Sequence, residues 1–160
     1  MSILTPFPIP DICHYCSSKK FHKHGTRERH VIEQGVKTWH LVQRFLCIDD
    51  DCGKAFTLLL PNMLPHKHYA APVIEQVLQN QEDPATPLHE CEAEESTIRR
   101  WLKEFSQKLC ALAASLELLA NVSITRLVTP LQRVYNILDL LDLPPDQSRL
   151  AWAFFLAHPT

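Results

Sequence analysis

Cys13-His14-Tyr15-Cys16, thirty intervening residues, then Cys47-Ile48-Asp49-Asp50-Asp51-Cys52: these two close cysteine pairs decide the fold of the first third of this 160-residue chain. A two-residue gap lets both sulfurs of a knuckle face one ion, and Zn²⁺ favours a tetrahedron of thiolates. The four-residue gap of the second pair also closes a loop, although that spacing is less diagnostic. The pattern predicts a zinc ribbon with Cys13, Cys16, Cys47 and Cys52 as ligands, folded only with its metal. Two readings compete with it. Unrelated buried thiols are disfavoured by the hairpin between the pairs, and a redox Cys-x-x-Cys lacks the strand-then-helix context after Cys16.

Between the pairs, side chains alternate from Arg27 to Leu46 around a Gln34-Gly35 turn, as a β-hairpin requires. A third short strand is expected at Ala55–Leu59. Before the first knuckle, Pro6, Pro8 and Pro10 deny the backbone its donors and predict an extended lead-in. Beyond the ribbon, Leu60-Pro61 and Leu64-Pro65 punctuate a linker. Helical spacing then predicts a helix from Ala71 or Pro72 to Gln79, a short helical turn near Leu88–Ala93, and a strong helix from Thr97 to about Asn121 with Ser96 as its N-cap. Two more helices are expected, at Ile124–Leu141 (disturbed at Pro130) and Pro145–Ala157. The fold class is therefore α+β: a three-stranded ribbon over 1–60, a helix-turn-helix region over 61–105, and C-terminal helices over 106–160 for packing or dimerisation.

Net charge is -2, so no global positive field attracts nucleic acid or acidic lipid. The charge is uneven. Residues 1–60 carry eight Lys/Arg against six Asp/Glu, and residues 61–105 carry four against eight. Three of those four, Arg99, Arg100 and Lys103, fall within five positions. No basic, apolar signal segment opens the chain, and no apolar run approaches the roughly 20 residues of a membrane span. A soluble, cytoplasmic protein with no membrane partner is expected, its six cysteines serving as metal ligands and free thiols rather than disulfides.

The stretch Glu95 to Phe105 carries the functional expectation. On a helix, Ile98, Trp101 or Leu102, and Phe105 bury one side, while Arg99 and Lys103 lie one turn apart on another, with Arg100 beside them. Ser96 and Thr97 at its start can donate to phosphate or base edges. Small polar residues at the N-terminus, arginines for guanine and an apolar back are what a recognition helix needs. An ordinary amphipathic helix with solvated charges is the competing reading. Lys19, Lys20, Lys23, Arg27 and Arg29 form a second basic cluster on the ribbon's first arm, able to grip phosphates or equally to be a solvated strand edge.

His22 and His24, and again His66 and His68, could together make a second, catalytic metal site. No carboxylate stands beside either pair, so a solvated or phosphate-contacting loop is the favoured reading. His14 is expected to be exposed, Cys91 a loop thiol and Cys110 a core residue.

Taken in order, the first knuckle, the hairpin, RFLC (44–47) with CGKAF (52–56), LPNMLPHKHYAAPVIEQVL (60–78) and ESTIRRWLKEF (95–105) resemble the bacterial family known as domain of unknown function 6431. More loosely, they resemble the N-terminal zinc-ribbon and helix-turn-helix segments of insertion-sequence transposases. The resemblance covers about residues 10–105. It implies a mobile-element-associated DNA-binding protein, with the four cysteines as zinc ligands and Ser96, Thr97, Arg99 and Arg100 as the recognition-helix start. The chain departs from the family's usual Cys-x-x-Cys at the second knuckle, which is longer by two residues and rich in Asp.

The expectation is a non-enzymatic, zinc-dependent protein that binds double-stranded DNA through Ser96, Thr97, Arg99, Arg100, Lys103, Lys23 and Arg27, either as a mobile-element regulator or as a transposase accessory. Residues 106–160 are too short and too helical for a transposase catalytic core, and could pair two copies as a homodimer. The alternative is a zinc-ribbon adaptor that binds protein rather than DNA.

Overall fold

Gln34 and Gly35 both adopt left-handed backbone, at φ 50° and 68°. Positive φ at both central positions gives the two-residue turn whose twist matches antiparallel strands. Around it, β1 (Phe21–Glu33) pairs with β2 (Val36–Cys47) in a register running from Phe21 opposite Cys47 to Glu33 opposite Val36. The register shifts between Lys23 and Thr26, where Gly25 sits at φ 73°. A short β3 (Ala55–Thr57) pairs antiparallel with Arg44–Leu46, giving a sheet in the order β1-β2-β3. The computed structural model describes residues 7–83, 91–123, 128–141, 143 and 148–157.

The proline-punctuated segment after β3 runs back along the hairpin. Ile32 donates to the His68 carbonyl (2.7 Å), and Ala70 donates to the Ile32 carbonyl (2.9 Å). Val31, Val42, Met63 and Ala70 close a small apolar cluster beneath it. Helix α1 (Ala71–Glu82) starts directly after this anchor, with a proline in its first turn where the missing N–H costs nothing.

Helix α2 (Glu95–Ala120) ends at Asn121, whose left-handed backbone lets its N–H reach the Glu117 and Leu118 carbonyls. Its buried face is Trp101, Phe105, Leu109, Leu112, Ala113 and Leu116. The larger of these contribute about 1.5–3 kcal/mol each on burial. They pack on α3 (Pro130–Leu138) and α4 (Arg149–Ala157). Phe105 meets Phe154 edge-on at 5.8 Å.

One hydrophobic cluster runs from Cys13, Phe45, Cys47 and Phe56 of the ribbon through all four helices. The anchor segment and α2 are also joined by Tyr69 against Trp101 (5.1 Å, edge-on) and by the Lys67–Glu104 ion pair.

Several boundaries differ from the sequence expectation. Ser96 lies inside the first turn of α2, the N-cap position belongs to Glu94, and no side chain caps the helix. Pro130 does not disturb a longer helix: it begins α3, after Thr129, whose hydroxyl accepts from the Gln132 N–H at 3.2 Å. The residues 124–127 and 145–147 assigned to helices lie outside the described residues, as does half of the short turn near 88–93, and its described residues 91–93 are not helical. The interval between α1 and α2, residues 83–94, is far longer than the ~3–4 residues of a helix-turn-helix turn.

Candidate metal centre

Each cysteine pair is shaped by its own backbone hydrogen bonds. In the first, Cys13 donates to the Ser18 carbonyl (2.8 Å) and accepts from the Ser17 N–H (3.0 Å), with Ser17 at φ 59°. In the second, the Asp49 carbonyl accepts from Cys52 (3.0 Å) and Gly53 (3.2 Å), while its carboxylate accepts from the Asp51 N–H (3.3 Å). Asp49 thus folds the two extra residues into a tight Asx-type turn, so the longer knuckle still presents Cys52 beside Cys47. Ile48 donates to the Lys20 carbonyl (2.9 Å), tying the second knuckle to the start of β1.

The four sulfurs come together, each within 4.8 Å of the others. Cys13 and Cys52 stand 3.9 Å apart and Cys16 and Cys47 3.6 Å. A disulfide needs about 2.0 Å, and all six cysteines are free thiols. A tetrahedron with metal–sulfur bonds of about 2.3 Å has edges of about 3.8 Å, and the two distances straddle that value. The donor set and its spacing therefore fit a tetrahedral thiolate-bound ion. Among the described residues this is the one group of metal-ligating side chains.

Cys13 and Cys47 are buried, Cys52 half-buried and Cys16 exposed, so the centre lies at the ribbon's end with one edge open. Burial, added to hydrogen bonding with the other sulfurs, pushes the Cys47 thiol up to about 12, against the opposing pull of the Asp49 N–H. At Cys13 burial also pushes upward, but the N–H groups of Tyr15 and Cys16, with thiol hydrogen bonds, hold it below the usual thiol range. Four thiolates at this spacing repel one another, and a divalent cation is what would let them deprotonate together.

His14, expected to be exposed, instead stacks on Phe56 at 4.6 Å and is half-buried. Lys54 lies over the Tyr15 ring (5.0 Å), joining the two knuckles from outside. The paired histidines do not assemble. His22 and His24 are exposed on β1, whereas His68 stacks on His30 at 4.3 Å. Cys110 is exposed rather than in the core, and Cys91 is a loop thiol packed against the core.

The two cationic sets lie toward opposite ends of the hairpin. Lys23 and Arg27 are exposed on the metal-proximal half of β1. The approach to α2 lies at the other end, where the Glu92 carboxylate sits against Gly35 in the turn. Lys23 and Glu33 are ten residue steps apart along β1, roughly 33 Å. On α2, Ser96, Arg99, Arg100 and Lys103 are exposed and Thr97 is half-buried. Arg99 is paired with Glu95 (2.5 Å), and Ser96 faces the Glu94 carboxylate at 3.5 Å. Lys19, Lys20, Lys23, Arg27, Arg100 and Lys103 have no ion-pair partner among the described residues. No helix of the described residues is long and apolar enough to cross a membrane.

The sequence profile of the family described as Domain of unknown function (DUF6431) matches residues 13–101, more than half of the chain. The match begins at the first metal-centre cysteine and ends at Trp101, leaving most of α2 and all of α3 and α4 beyond it. Comparison with curated proteins and with solved structures finds no match. The chain belongs to the family of that profile.

Proposed function

We propose that this member of the DUF6431 family is a zinc-dependent, non-enzymatic protein that binds double-stranded DNA. The observation that carries the reading is a group of exposed cations without carboxylate partners among the described residues: Lys19 and Lys20 just before β1, and Lys23 and Arg27 on it, near Phe21, which pairs with Cys47 of the metal centre. A two-stranded β-ribbon fits the major groove, and cations on such an arm neutralise phosphates. An all-thiolate tetrahedron of this size suits zinc, and a zinc ion held there would set the start of the arm. Arg100 and Lys103 on the first turns of α2 add a second contact, with Ser96, Thr97 and Arg99 reaching base edges once Arg99 leaves Glu95. The resemblance to transposase DNA-binding segments supports a place in mobile-element regulation or as a transposase accessory.

A second reading rests on Leu118, Leu119 and Leu140, which are 84%, 59% and 60% exposed. Exposed leucines at the end of α2 and just after α3 suit a protein partner, either a second copy or an adaptor's target.

Selection of bound duplexes from a random pool by zinc-loaded protein, followed by anisotropy titrations at several salt concentrations, tests the DNA reading. Binding that weakens steeply with salt, with Lys23→Ala flattening the slope and Arg99→Ala relaxing sequence preference at a cost of about 1–3 kcal/mol, supports it. No retained duplex at low salt, with a co-purifying protein instead, favours the adaptor.

A further inference from the structure

A concavity lies between the ribbon and α4 and reaches His14 and Tyr15 of the first cysteine knuckle. It is an open cleft of about 810 Å³, walled by β1 from Arg27 to His30, by β3 and the residues after it, by the loop from Met63 to His68, and by α4. That volume falls within the range of small-molecule sites and exceeds what one nucleotide fills. Its lining has two chemistries. Arg27, His14, His30, His66 and His68 supply cationic and N–H groups, against the single carboxylate of Glu28. The half-buried Phe155 supplies a ring, whereas Phe56, covered by His14 and Phe45, and the buried Phe154 form apolar wall.

Two charges nearby are already committed. Arg29 donates to the Leu64 and Lys67 carbonyls (3.4 and 2.8 Å), and Lys67 pairs with Glu104. Arg27 is free of ion pairs among the described residues, and His66 is exposed in the loop. The loop is held rigidly by the His30–His68 stack and by Arg29, and the α4 wall by Phe155 stacked on Phe7 at 4.4 Å. A ligand suited to both chemistries carries a planar ring to lie against Phe155, on the side away from Phe7, and an acceptor-rich anion for Arg27 and the imidazoles.

We propose that this cleft is a nucleotide site, taking one base and its phosphate, with His66 and Arg27 at the anion and Phe155 at the base. The same unit comes from two sources, a free nucleotide or the unpaired end of a DNA strand. The α4 wall lies outside residues 13–101, so the site is a composite of the family's domain and the C-terminal helices. It goes beyond the duplex-binding reading, which places no group in the cleft except Arg27.

The test is titration calorimetry of the zinc-loaded full chain with deoxyadenosine monophosphate, with orthophosphate, and with a duplex bearing an unpaired three-nucleotide tail. The proposal expects sub-millimolar binding of the nucleotide, weaker binding of orthophosphate, at least tenfold loss in His66→Glu, and retention in His66→Arg. Without any substitution, the nucleotide should also slow diethyl pyrocarbonate modification of His66 but not of His22 or His24. Competition between nucleotide and tailed duplex assigns the site to a strand end; nucleotide binding without competition assigns it to the free nucleotide. Absence of nucleotide binding, equal binding of orthophosphate, or unprotected His66 overturns the proposal. A blunt duplex measured alongside reports on duplex binding alone, so the two failures are told apart.

Discussion

Tyr135 donates a 2.8 Å hydrogen bond to the carboxylate of Glu75, sixty residues earlier in the chain, and both are buried. The other carboxylate oxygen accepts from Ser148 (2.7 Å), whose hydroxyl also accepts from the Ala151 N–H at the start of α4 (3.3 Å). Gln79 donates to the Tyr135 hydroxyl at 3.1 Å. One carboxylate on α1 thus fixes α3 and α4, and burial beside it keeps the Tyr135 phenol protonated well above its usual range. Removing one partner of a buried, charge-assisted network leaves the others unsatisfied. Glu75→Ala should cost about 2–3 kcal/mol, read as a lower urea midpoint with an unchanged slope. An unshifted midpoint would remove the network from the account.

Helix α2 buries Leu109, Leu112 and Leu116 against α3 and α4, although the family match stops at Trp101. A chain ending at Ser123 exposes that face together with Glu75. It should lose its cooperative thermal transition and become sensitive to protease within α2. A fragment that melts as sharply as the full chain would show that the C-terminal helices are dispensable.

His30 lies between Trp39 (5.0 Å) and His68 (4.3 Å). Desolvation, then the charges of Lys37, His68 and Arg29, hold its pKa below the usual histidine value. A depressed folded-state pKa contributes stability that is present above the unfolded value, about 6.5, and is lost as pH falls through the folded value. The melting temperature should therefore fall as pH drops below about 6.5, and His30→Gln should flatten that part of the profile. Parallel profiles for the two proteins would contradict this.

Gly35 combines φ 68° with the Glu92 carboxylate packed where a side chain would begin. Gly25 has a similar φ, 73°, with open space around it. Gly25→Ala should cost about 1 kcal/mol from backbone strain alone. Gly35→Ala should cost more, because Glu92 must also move. Equal losses in melting temperature would show that the turn does not rest on the segment before α2.

The hairpin was legible because Gln34-Gly35 and the alternation around it admit few other structures. The first six residues of β1, Phe21–Thr26, were not, since His22, Lys23 and His24 are all exposed and show no alternation. Their pairing follows from the metal-centre end, where Phe21 faces Cys47. The start of α3 carried its signal in Thr129-Pro130, read instead as a break inside a longer helix. Cys110 follows buried Leu109 by one helical step of about 100°, which turns it outward, a point that spacing alone could have settled. The cysteine centre was readable as spacing; the contribution of Asp49 to its longer loop was not. The cleft and the Glu75 network draw on segments far apart in sequence, so no local pattern announces either.

X-ray absorption at the zinc edge of protein purified without added chelator addresses the metal centre most directly. The account predicts one zinc per chain with four sulfur neighbours at about 2.3 Å. A chain that folds with no bound metal, or an ion held by nitrogen and oxygen in place of any of Cys13, Cys16, Cys47 or Cys52, would contradict it.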